Sequence, residues 1–137
     1  MWKQRLGVRS TLVNEEFKVF LNNRNMKKVT QAFRASWIAD YNDASAFTDL
    51  MHSANGNNDN GYNSPDYDAL IRAAALEPDL AKRRAMLEQA ERTVLDDNAV
   101  LPSDYYVSKH LVKPWIAGWQ DNILDYHYTK DLKILAH

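Results

Sequence analysis

Between Arg34 and Asp43 the chain sets an arginine, a tryptophan and a carboxylate close together, in the order Arg34, Trp37, Asp40, and then turns polar with Tyr41, Asn42 and Asp43. Flanked by Trp37 and Tyr41, the Asp40 carboxylate can pair with a ligand cation such as an ammonium group in a partly dry site. Losing one partner of a buried pair costs about 3–5 kcal/mol, so such a residue could dominate affinity. The same acids are also turn chemistry, and Asp40 can instead cap the helix that follows. Arg34 presents a planar fork that takes a carboxylate bidentately, whether from a ligand or from a structural ion pair. Ser36 and Ile38 share its face if the stretch alternates as a strand. Trp37 can stack on a ligand or fill the core, and Arg24 reads most simply as a solvated helix-end cation. Tyr105 and Tyr106 are adjacent on a predicted strand and must face opposite sides, so one of them can reach a cleft.

Catalysis finds little support. His52, His110, His127 and His137 are scattered, with no His-Glu-x-x-His pattern and no partner at ligand spacing, so no metal site is expected. The four glycines form no phosphate cradle, and there is no Gly-x-Ser-x-Gly elbow. The absence of cysteine removes disulfides, thiolate ligands and thiol nucleophiles. A net charge of −1 creates no field that would draw in nucleic acid or an anionic membrane. No apolar run approaches the roughly 18 residues of a membrane span. The basic run Lys82-Arg83-Arg84 lies on a predicted amphipathic helix and reads as a solvated face. What remains is a binding protein with no cofactor.

These residues must be held by elements that the patterning outlines. The 137 residues suffice for one core. Met1 to Leu6 resembles the last turns of an amphipathic helix closed by Gly7, an opening that suggests a piece of something larger. Val8 to Val13 alternates and is β-branched, which predicts a strand. Asn14 offers a cap for a helix with Phe17, Phe20, Leu21 and Arg24 on one face. Val29 to Ile38 reads as a second strand, making a parallel βαβ unit with Asp40 at its carboxyl end, where open α/β sheets hold ligands. Asp43 can cap the next helix, with Phe47, Leu50 and Met51 turned inward. Residues 53–63 have nothing to bury and read as an exposed loop. Ser64-Pro65-Asp66 starts a helix with Tyr67, Leu70, Ile71 and Ala74 as its apolar face. After Pro78, Asp79 caps a helix to about Leu95, with Leu80, Leu87, Ala90 and Val94 inward and Asp79/Arg83 and Glu88/Arg92 as outer pairs. Strands are predicted at 100–102, 105–107 and 132–135. Trp115, Trp119, Tyr105, Tyr106, Tyr126 and Tyr128 give the tail more aromatic surface than it can bury by itself.

The run from Arg34 to Asp43, Tyr62-Asn63-Ser64-Pro65-Asp66-Tyr67-Asp68, Tyr105-Tyr106-Val107 and Leu111-Val112-Lys113-Pro114-Trp115 together resemble, in order and spacing, bacterial periplasmic oligopeptide-binding proteins. These are the family 5 peptide/nickel-type solute receptors of ABC importers, which include murein-tripeptide receptors. The resemblance covers essentially the whole chain and corresponds to their C-terminal part. It implies an α/β fold in which residues 1–103 are part of the C-terminal lobe of a two-lobed receptor. Residues 104–137 would form a β-rich tail packing on the N-terminal lobe. It implies a non-catalytic, periplasmic protein that binds an oligopeptide as an added strand and delivers it to the membrane permease subunits of an importer. Carried over by position, Asp40 would meet the peptide ammonium, and the backbone of Ser36, Trp37 and Ile38 would meet the peptide backbone. Arg34 would meet the carboxylate of short peptides, and Trp37, Arg24 and Tyr106 would line side-chain pockets. Ile38 departs from the smaller or thiol residue expected there, and one residue is inserted between Arg24 and Arg34. Two other readings use the same residues: a chaperone-like or signalling peptide binder, and a self-contained carbohydrate-binding module stacking sugars on Trp115 and Trp119.

Overall fold

The computed structural model describes residues 2–28 and 31–136. The chain packs as two units, Met1–Arg34 and Ala35–His137. Helices and one small sheet make up its elements, a mixed α/β composition as expected.

In the first unit, helix α1 (Trp2–Leu6) ends at Gly7, whose φ of 70° is the left-handed stop that glycine adopts without strain. Helix α2 (Phe17–Asn25) is capped by Glu16 rather than Asn14. The Glu16 carboxylate accepts the N–H groups of Lys18 at 2.9 Å and Val19 at 3.2 Å, placing negative charge at the positive end of the helix. The expected strand over 8–13 does not form: Leu12 and Val13 are 89% and 78% exposed and enter no ladder. The second expected strand fails likewise over 31–38, while Val29 and Thr30 lie outside the described residues. No parallel βαβ unit is therefore present among the described residues. β-branched residues favour extended backbone, but a strand exists only where a neighbour supplies its hydrogen bonds.

The second unit is built on helices α4 (Pro65–Leu76) and α5 (Leu80–Asp96), joined by three residues. Their caps follow the sequence: the Ser64 hydroxyl accepts the Tyr67 N–H, and Asp79 accepts those of Ala81 and Lys82. Tyr67, Ile71 and Ala74 of α4 meet Leu87, Ala90 and Val94 of α5 as one buried cluster. Ala74 and Ala90 are 1% and 0% exposed. Leu80, expected inward, is exposed, as is Leu76, because both flank the connection where the helices have ended their contact. Glu88 holds Arg92 as expected, at 3.6 Å, and also Arg84 at 2.8 Å. The Asp79/Arg83 pair does not form: Asp79 is occupied with its cap, and Arg83 reaches Asp43 instead.

Helix α3 (Ser45–Thr48) runs into a 3-10 turn at Asp49–Met51. Ala46, not Phe47, is its buried residue, and Phe47 stays exposed. The Tyr67 hydroxyl donates to the Thr48 carbonyl at 2.5 Å, tying this segment to α4. The loop over 53–63 is not the bare connection expected, because it folds around Asn58, which is 3% exposed. The Asn58 amide donates to the His52 and Tyr62 carbonyls, and its oxygen accepts the Tyr62 N–H. Asn60 then donates to the Ala99 carbonyl and the Tyr62 hydroxyl to Asp97, latching the loop to the end of α5. Asp68 is buried beneath it. Desolvation pushes its carboxyl up, but hydrogen bonds from the Ser53 hydroxyl and N–H outweigh that and hold it below the usual range.

In the tail, strands β1 (Ile116–Ala117) and β2 (Lys133–Ile134) pair antiparallel, with Ile116 opposite Ile134. Gly118, at φ 86°, lets the chains approach closely; a Cβ there would lie 1.9 Å from the Asp131 carbonyl oxygen. The expected strands at 100–102 and 105–107 do not form, for want of a partner. Tyr105, Tyr106, Tyr126 and Tyr128 are exposed. Among the described residues no helix is long and apolar enough to cross a membrane.

The close α4–α5 contact depends on small side chains. Ala90→Leu should destabilise the second unit by about 1–3 kcal/mol through overpacking against Ala74, read as a lower denaturant midpoint by far-UV circular dichroism.

Candidate functional site

The stretch with the candidate binding residues ends in a tight turn. The Asp43 N–H donates to the Tyr41 carbonyl at 2.9 Å, and the Tyr41 and Ser45 hydroxyls are 3.1 Å apart. The Asp43 carboxylate accepts the Ser45 N–H at 2.8 Å and two guanidinium N–H groups of Arg83 at 2.8 and 2.7 Å. The Arg83 fork and the Ser45 bonds hold the Asp43 carboxyl far below the usual carboxylate range, and the same pairing raises Arg83.

The N-cap position of α3 is Ala44 rather than Asp43 and carries no side-chain cap; Asp43 accepts the Ser45 N–H beside it, and Asp40 takes no part in the turn. Asp40 is exposed and makes no side-chain hydrogen bond or ion pair among the described residues. Residues 35–39 make no backbone–backbone hydrogen bond among the described residues either, so Ser36, Trp37 and Ile38 keep their main-chain donors and acceptors open. Trp37 is 37% exposed and Ile38 66%, so neither is a core residue of the unit. Tyr106 belongs to the same unit and is exposed.

Arg34 and Arg24 belong to the other unit. Arg34 is exposed and enters no structural ion pair among the described residues. Arg24 is half-buried, with its guanidinium 5.7 Å from the Phe20 ring centre and 6.0 Å from that of Phe33. That is cation–π packing rather than a solvated helix-end charge.

One group of side chains escaped the sequence reading. His110 and His127 are not scattered: their Nε2 atoms lie 2.7 and 2.9 Å from the same oxygen of Asp125. The local signal is a turn in which Asn122 accepts the N–H groups of Leu124 and Tyr126 and Asp125 takes φ 56°. His110 is fifteen residues away, and no spacing rule could have placed it there. The Trp119 ring stacks on His127 at 3.7 Å, so one of its faces is already covered and cannot serve as a sugar platform.

No protein-family model matches the chain. Over its whole length it is 38% identical to the periplasmic oligopeptide-binding protein OppA of Escherichia coli, covering 25% of that protein. The solved structure of the E. coli murein tripeptide binding protein MppA aligns with 99% of this chain at 33% identity and a TM-score of 0.84, covering 27% of MppA. That of Haemophilus influenzae OppA in complex with the peptide RPPGFSPFR aligns with 98% of it at 29% identity and a TM-score of 0.85, again covering 27%. The chain spans about a quarter of the length of the relatives it matches.

The clamp on the candidate stretch is open to test. Arg83→Met should cost about 1–2 kcal/mol, a value set by hydrogen bonds to a charged group and reduced for partial exposure. Because the folded pKa of Asp43 is depressed, the stability it contributes is present above the ordinary carboxylate range and lost as pH falls below it. The wild type should therefore lose stability as pH drops under about 4, read as a lower denaturant midpoint, and Arg83→Met should flatten that limb.

Proposed function

We propose, from its membership of the periplasmic oligopeptide-binding proteins, of which it is a C-terminal portion, that this chain supplies one wall of a cleft that captures short peptides in extended form. The observation that carries the reading is an exposed Asp40 with no side-chain partner among the described residues, preceded by five residues that make no backbone–backbone hydrogen bond among them. An extended peptide added beside Ser36, Trp37 and Ile38 would satisfy those groups whatever its side chains, which is how main-chain recognition tolerates sequence. Its α-ammonium then falls to Asp40, whose carboxylate makes no hydrogen bond or ion pair among the described residues. Arg34 takes the carboxylate of short peptides, and Trp37, Tyr106 and Arg24 line side-chain pockets in which water can adapt.

In this reading residues 1–103 contribute to the C-terminal lobe, and 104–137 return to the N-terminal lobe, which would cover the exposed tyrosines of the tail. The receptor works in the periplasm, passes its peptide to the permease subunits of an ABC importer, and catalyses nothing.

The test is calorimetric titration of the full-length receptor with tri- to pentapeptides, free and N-acetylated. Acetylation should weaken binding strongly; unchanged affinity would sink the ammonium anchor. Asp40→Asn should weaken binding at least tenfold, about 1.4 kcal/mol. Affinity equal to wild type in that variant would return Asp40 to a structural role. Failure of every peptide to bind, with saccharides bound instead, would overturn the peptide reading itself.

A further inference from the structure

We propose that His110, Asp125 and His127 form a binding site for a borderline divalent transition-metal ion, with Zn²⁺ as the reference case. Each residue offers one ligand atom, and the three atoms lie within 4.8 Å of one another. Two imidazole nitrogens and one carboxylate oxygen are the donor types that such ions prefer over Mg²⁺ or Ca²⁺, which favour all-oxygen shells. With bonds of about 2.0–2.2 Å, neighbouring donors of a tetrahedral zinc stand about 3.3 Å apart. The present separations from the shared Asp125 oxygen, 2.7 and 2.9 Å, need to open by only a few tenths of an ångström.

The site is held in place by its surroundings. Trp119 lies flat on His127, with 15° between ring planes, and its centre is 4.9 Å from that of His110. The turn organised by Asn122, whose side-chain oxygen accepts the N–H groups of Leu124 and Tyr126, fixes the backbone that carries Asp125. Such outer contacts orient metal ligands and limit the reorganisation that binding requires. His110 and Asp125 line a concavity shared with Tyr106, Trp119 and Asp121, so an ion has a route in and room for a water as fourth ligand. Both imidazoles already point Nε2 inward. Binding then needs each to carry its remaining proton on Nδ1, while Asp125 supplies one negative charge against the ion's two.

The experiment is isothermal titration of the untagged chain, stripped with EDTA, with ZnCl₂ at neutral pH, together with Co²⁺ absorption spectroscopy. One ion per chain should bind, with the intense visible absorption of four-coordinate Co²⁺. His110→Gln, His127→Gln and Asp125→Asn should each weaken binding by about tenfold or more, while His52→Gln leaves it unchanged. Circular dichroism of each variant identifies any that fails to fold; the His52→Gln control and Mg²⁺ competition then still decide. Absence of binding to the wild type, loss of binding in His52→Gln, or displacement of Zn²⁺ by millimolar Mg²⁺ would each overturn the assignment.

Discussion

The bidentate pair of Asp43 and Arg83 organises the second unit around the candidate stretch. One carboxylate accepts two guanidinium N–H groups and the Ser45 N–H, so it fixes the turn after Asp40 and anchors that turn to α5 at once. The planar match of guanidinium to carboxylate makes this more than a charge contact, since a point cation could not hold both oxygens in register. Helix α5 in turn is braced by α4 through the cluster of Tyr67, Ile71, Ala74, Leu87, Ala90 and Val94. Residues 35–39, which lead into Asp40, make no backbone–backbone hydrogen bond among the described residues, and the turn that follows them is thus tethered to α5.

Much of this was legible in the sequence where the forces are local. Ser64-Pro65-Asp66 and Asp79 mark the starts of α4 and α5, and the apolar spacing finds their buried faces apart from Leu80. Where the deciding contact is distant, the sequence misleads. Asp79 and Arg83 stand at ideal helical spacing, yet Arg83 finds a better partner forty residues away. The segments 8–13 and 31–38 have strand composition but pair with no strand among the described residues. The loop over 53–63 looks empty because its organising residue, Asn58, is polar, and polar burial leaves no hydrophobic pattern.

The candidate site shows the same division. Asp40 and Asp43 are equal candidates for capping by residue type, and only the fold separates them, since Asp43 alone takes the Ser45 N–H. The cluster of His110, Asp125 and His127 depends on a residue at φ 56° and on a long-range approach, neither of which leaves a spacing signature. Arg24, which looks like a surface charge, turns out to be packed over two aromatic rings.

The three-residue connection between α4 and α5 also sets an order of events as the chain collapses. A helix pair joined so briefly closes its interface at little loop entropy, so its contacts are among the earliest available. Asp43 must then close a far longer loop to reach Arg83, and that closure is favourable only once α5 stands as a rigid target. The turn beside Asp40 is accordingly a late arrival in folding, captured by a hairpin that has already formed.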